Sequence, residues 1–189
     1  MRERGDTIIE VMFAFVVFSL VTIGLMSIMN QGIAMAQRSL EITLVRQQID
    51  SQADLVRYVR NNKNTGPTDL WPSLKATASA SIDSFKGQTD CPEEAPANTF
   101  FIRPTATDID LQSLSGNTNF AEAATYSRFD YADGTGPTPT AYGIWLQAVR
   151  VETDPGRPQA YDIHIRACWD TVGTAVPMTL GTIVRLYDQ

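Results

Sequence analysis

Charge is scarce at the start of this chain, and proline is scarcer still. Between Thr7 and Met29 the only ionisable residue is Glu10, and no proline occurs before Pro67. The commonest helix breaker is therefore missing from the whole first part of the sequence. Histidine is almost absent: His164 is the single one, and the cysteines number two, Cys91 and Cys168. A Ser–His–Asp or Cys–His arrangement would have to use His164, which falls in a strand-like run beside Arg166 and reads as a packed or solvent-facing strand residue. Two cysteines and one histidine do not make a closed zinc site. No GxSxG, P-loop or complete GxGxxG occurs, and Gly134 and Gly136 sit in a proline-rich loop. Asp108, Asp110, Asp130, Asp133 and Gly134 lack EF-hand spacing, and turn chemistry accounts for them. These absences argue against an enzyme and lead us to expect neither cofactor nor metal.

What is present is unevenly distributed. The net charge is −6. Residues 1–64 carry seven Lys/Arg against six Asp/Glu, and residues 65–189 carry eight against fifteen. The acidic C-terminal part repels a phosphate backbone and disfavours nucleic acid as a partner. The run from Thr7 to Met29 would span about 34 Å as a helix, enough for a bilayer core of roughly 30 Å. It is longer than the apolar core of an ordinary secretory signal, and Gly24, Ser27 and Gly32 match a cleavage site only loosely. Arg2 and Arg4 precede the run, and the next basic residue is Arg38. The positive-inside rule then places the N-terminus in the cytoplasm and the rest of the chain outside. In an oxidising exterior, Cys91 and Cys168 are expected to form one disulfide.

The helix is predicted to continue beyond the membrane. Ile33, Ala36, Leu40, Leu44, Ile49, Ala53, Val56 and Val59 recur at helical spacing, with Gln37, Arg38, Glu41, Gln47, Gln48, Asp50, Gln52 and Asp54 as the polar positions between them. Asn61, Asn62, Asn64 and Gly66-Pro67 supply the stop. The expectation is one helix from about residue 7 to about 61, roughly 80 Å long, apolar all round in its first half and one-sided in its second. Gly24 and Gly32 weaken it in water and suit close helix packing in a membrane.

Thr65 to about Ala97 reads as irregular, with Trp71-Pro72 and Cys91-Pro92 as punctuation. Strand-like runs follow at Thr99–Arg103, Ala141–Val151, Tyr161–Trp169 and Leu180–Tyr187. In the third, Ile163, Ile165, Ala167 and Trp169 alternate with Asp162, His164, Arg166 and Cys168. Turn signals at Asp154-Pro155-Gly156 and Val172-Gly173-Thr174 separate the last three runs and favour an antiparallel meander. The fold class is thus α+β: a long N-terminal helix packed on a C-terminal antiparallel sheet.

The segment from Gly5 to Glu10, followed by VMFAFVVFSL, resembles the class III signal of type IV prepilins and pseudopilins. The resemblance covers about the first 30 residues. It implies a leader Met1–Gly5, cleavage between Gly5 and Asp6 by a prepilin peptidase, and a mature chain whose fifth residue is Glu10. It further implies that the peptidase methylates the new amine, and that Glu10 serves subunit assembly by pairing with the amine of a neighbouring subunit. The family's first mature residue is commonly Phe or Met, where this chain has Asp6. Many members also carry a helix-bending proline that is missing here. The expected organisation is a leader (1–5), a transmembrane and assembly helix (6–64) and an extracellular head (65–189).

The resemblance implies a structural subunit, a major or minor pilin, that polymerises through its helix and serves adhesion, motility or DNA uptake. Its partners would be the prepilin peptidase, like subunits, the membrane assembly machinery and, before assembly, the lipid bilayer. The chain would lie in the cytoplasmic membrane first and in an extracellular pilus or pseudopilus afterwards. Two alternatives stay open at this point: a type II secretion-type pseudopilin, and a membrane-anchored binding protein or adhesin that never polymerises. Glu10 discriminates against the last, since a plain anchor gains nothing from an intramembrane carboxylate.

Overall fold

The computed structural model describes residues 6–63, 69–80, 90–105, 108–114, 118–131, 138–152, 154 and 156–188. Its first element is α1 (Asp6–Asn61), one α-helix of 56 residues. The chain divides into two compact units, Met1–Leu40 and Glu41–Gln189, and α1 contributes to both.

In the first unit, α1 is long and apolar enough to span a bilayer, and its side chains from Ile8 to Met29 are almost all exposed. An apolar helix with nothing covering it in water would forfeit the burial that normally offsets its conformational entropy. Its composition suits lipid or other helices.

In the second unit α1 buries Val45, Ile49, Gln52, Ala53, Val56 and Val59, a stripe at the three- and four-residue spacing of one helix face. This corrects the sequence reading at three points. Val45 belongs to the core, and Gln52, counted there among the polar positions, is fully buried. Ile33 and Leu40, expected on the packed face, are exposed.

The stretch read as irregular contains a short helix, α2 (Leu70–Ala76). Asp69 caps it, its Oδ1 accepting from the N–H of Trp71 at 3.1 Å. Pro72 lies in the first turn, where its missing N–H is not needed. Trp71-Pro72 therefore opens a helix where the sequence suggested only punctuation.

Among the described residues eight strands follow: β1 (Thr99–Pro104), β2 (Ile109–Ser113), β3 (Phe120–Ala121), β4 (Arg128–Asp130), β5 (Thr140–Tyr142), β6 (Ile144–Val151), β7 (Gln159–Trp169) and β8 (Met178–Asp188). The main sheet is five-stranded and antiparallel, in the order β2-β1-β6-β7-β8. The meander expected for the last three runs is present. A small second sheet, β3-β5-β4, includes one parallel pair. The α+β class, with a long helix packed on an antiparallel sheet, is the architecture of the chain.

Ala141–Val151, read as one strand, is two. Gly143 breaks it at φ 59°, and a Cβ there would stand 2.3 Å from the Cys168 carbonyl oxygen. Only glycine fits both the left-handed backbone and that close approach. The break sends β5 into the second sheet while β6 stays in the first.

One face of the main sheet packs on α1. Phe100, Leu146 and Ile165 form a row across β1, β6 and β7 on that face, and they share one core with Val45, Ile49, Val56 and Leu74. The alternation in β7 is less clean than expected, because His164 and Cys168 on the opposite face are also buried. That face is partly covered: Phe120 meets Trp145 edge-on at 6.1 Å, and Cys91 is bonded to Cys168.

Candidate assembly site on the N-terminal helix

The residues with a predicted role in processing and assembly cluster at the start of α1. Gly5 lies outside the described residues. Asp6 is the first residue of α1, and nothing is described of its side chain. Glu10 follows four residues later and is exposed. Ala14 is the one small residue in the run Val11–Phe18, with Phe13 and Phe15 beside it and Val11 and Phe18 one turn away. Ala14 leaves an open notch of about 350 Å³ lined by Val11, Phe15 and Phe18. A Cβ built on Gly24 or Gly32 would meet no atom within 4 Å, so neither glycine is required by this chain's own packing.

Two hydroxyls of this segment, those of Ser19 and Thr22, are satisfied without water. Ser19 Oγ donates to the Phe15 carbonyl and Thr22 Oγ1 to the Phe18 carbonyl, each at 2.8 Å and one turn back. A helix that closes its own polar groups in this way tolerates hydrocarbon. Glu10 has no such closure, and no hydrogen bond or ion pair engages it among the described residues.

The chain matches no family model, no curated protein and no solved structure.

The head supplies the remaining predicted residues. Cys91 and Cys168 form a disulfide, with Cα atoms 5.5 Å apart and a separation of 77 positions in sequence. It ties the segment before β1 to the middle strand pair. His164 stands in β7 between Gln147 of β6 and Ile183 of β8. Burial lowers its pKa, the neighbouring Arg166 lowers it further, and Asp162 works against both. Asp110 lies near Arg103 and accepts a hydrogen bond from Gln112, and Asp133 and Gly134 lie outside the described residues. Among the described residues no three His, Cys, Asp or Glu side chains gather.

Two arrangements escaped the sequence. The first is Gln52, which lies three residues from Ile49 and four before Val56; that spacing on the apolar arc was the available signal. The second is a clasp at the end of β8. Trp71 Nε1 and Lys75 Nζ donate to the two carboxylate oxygens of Asp188 at 2.9 and 2.8 Å, while Arg60 donates to the Tyr187 carbonyl. The Lys75 bond, then the Trp71 bond, holds the Asp188 carboxyl below its ordinary range. Nothing in the local pattern of β8 foretold a partner so distant in sequence.

Proposed function

We propose that this chain is a structural subunit, a major or minor pilin, of a type IV pilus-like filament. One observation carries the reading. A single helix presents an exposed apolar half containing Glu10, and its other half is the spine of an antiparallel α+β head. In this reading the first half lies in the cytoplasmic membrane before assembly and among like helices afterwards. The prepilin peptidase removes residues 1–5, the membrane assembly machinery extracts the subunit, and the head faces the exterior on the filament. The role is structural rather than catalytic.

Glu10 makes the reading testable. A carboxylate in a membrane helix is costly, roughly 2.5–3.5 kcal/mol for Asp at the helix centre and less near the interface. Pairing with the freed amine of a neighbouring subunit would offset that cost at assembly. Glu10→Gln keeps size and hydrogen bonding but removes the charge. It should leave insertion and head folding intact while sharply reducing filaments in sheared surface fractions, with membrane fractions retaining the protein. Normal filament levels from this variant, in cells lacking the unmutated subunit, would show that the carboxylate is dispensable and favour a plain anchored protein.

A further inference from the structure

The second edge of the main sheet carries a feature that filament assembly through α1 does not use. β8 is the terminal strand, and its register with β7 runs unbroken from Met178 to Asp188. It contains no proline and no bulge, the usual means of blunting an edge. The opposite edge, β2, is shorter, bears Asp110, and has its Ser113 carbonyl engaged by Asn119.

The phase of the open backbone groups follows from two contacts. Cys168 sends its N–H towards β6, to the Gly143 carbonyl at 2.8 Å. In an antiparallel ladder, alternate residues point both polar groups the same way. Arg166 and His164 therefore also face β6, and their β8 partners Gly181 and Ile183 face outwards, as do Thr179 and Arg185. The bond from Arg60 to the Tyr187 carbonyl agrees with this phase and closes the far end of the edge. Among the described residues, no strand pairs with the edge from Thr179 to Arg185.

Side chains on the same stretch mark one position. Gly181 lies opposite Arg166, and the missing side chain leaves a hollow of about 210 Å³ bordered by Trp145, Arg166 and Thr179. A Cβ on Gly181 would come within 2.9 Å of the Ile165 carbonyl oxygen, so the gap is held open by the backbone itself. Arg185, two strand positions away on the same face, is neutralised by both oxygens of Asp162 at 2.7 Å. Arg166 has no such carboxylate among the described residues. A guanidinium with no carboxylate partner among the described residues, beside a strand position with no side chain and on a head that is acidic overall, selects for a single negative charge. Ile183, 59% exposed on the same face, suits a β-branched neighbour in a pairing strand.

We propose that β8 is a docking edge for an extended peptide segment. The segment adds antiparallel to β8 and places one Asp or Glu opposite Gly181, with its carboxylate reaching Arg166. Main-chain bonds supply the general affinity and Arg166 the selectivity. The negative head disfavours a polyanionic segment, so the ligand is otherwise uncharged.

The test uses the full chain in detergent micelles and a capped synthetic peptide, Thr-Val-Thr-Glu-Thr-Val-Thr, beside its Gln counterpart. Amide exchange should slow at residues 179–185 with the Glu peptide and stay unchanged at residues 109–113. The Gln peptide should bind about tenfold more weakly, as loss of a charge-assisted bond implies, and R166Q should erase that difference. Glu10→Gln protein should bind the peptides as the unmutated chain does, so the outcome is independent of filament assembly. Three results would each overturn the proposal: no protection at millimolar peptide, equal affinity for the two peptides, or protection without peptide that rises with protein concentration. The last would assign the edge to a second copy of the chain.

Discussion

Gln52 of α1 holds both backbone groups of Ile102 in β1. Its Nε2 donates to the Ile102 carbonyl at 2.7 Å, and its Oε1 accepts from the Ile102 N–H at 3.0 Å. The same Nε2 donates to the Tyr131 hydroxyl at 2.9 Å. Pairing between β1 and β6 ends at Phe100 and Leu146, so beyond that point β1 has lost its strand neighbour on that side, while β2 stays paired on the other. One side-chain amide carries the same donor and acceptor as a peptide group and takes that neighbour's place. The helix is thus joined to the sheet by directional bonds as well as by apolar contact.

Removing that amide should be expensive. Gln52→Ala leaves the Ile102 N–H and carbonyl unpaired in a buried site, and we expect a loss of roughly 3 kcal/mol in head stability. Gln48→Ala, which removes only a 3.4 Å contact to the Phe129 N–H, should cost less than about 1 kcal/mol. Denaturant unfolding followed through the buried Trp71, Trp145 and Trp169 measures both. Equal midpoints for the two variants would contradict the special role of Gln52.

The disulfide should matter through the unfolded chain. Closing a loop across the 77-position separation of Cys91 and Cys168 stabilises by about 4 kcal/mol on the chain-entropy account. The Cys91→Ala, Cys168→Ala double variant should melt well below the unmutated protein. Thiol labelling of the native, unreduced chain should find neither cysteine reactive.

Acid should weaken the head in two steps. The His164 pKa is lowered in the fold, so the unfolded chain binds the proton more readily, and stability begins to fall as pH drops through about 6.5. Asp162 and Asp188 are lowered as well, chiefly by bonds from Arg185 and Lys75. Their stabilisation is complete above the ordinary carboxylate range and is lost as pH falls through about 4 and below. His164→Gln should remove the first step and leave the second; Asp188→Asn should shrink only the second. Unfolding midpoints measured from pH 8 to pH 3 separate the two.

Processing is the remaining prediction. N-terminal sequencing of protein extracted from membranes should begin at Asp6. A mature chain starting at residue 25 or later would indicate an ordinary secretory signal and remove the basis for assembly through Glu10.

The long helix, its exposed apolar half, the antiparallel meander of β6, β7 and β8 and the pairing of the two cysteines were all legible in the sequence. Each depends on local period, on composition or, for the cysteines, on their being just two: an unbroken apolar run without proline, a period of two between turn residues, a single possible pair. Glu10 stands out for the same reason, as one charge in a run that otherwise has none. The structure alone decided where polar residues serve the core. Gln52 looks like a solvent-facing residue until a strand that has lost its neighbour on one side is brought against it. Gly143 looks like part of a strand until the Cys168 carbonyl approaches it. The partnership of Asp188 with Trp71 and Lys75, and the open position at Gly181 beside Arg166, arise from contacts between segments far apart in the chain. Local pattern encodes which way a side chain faces along its own element, whereas the partner it meets is set only when the elements pack.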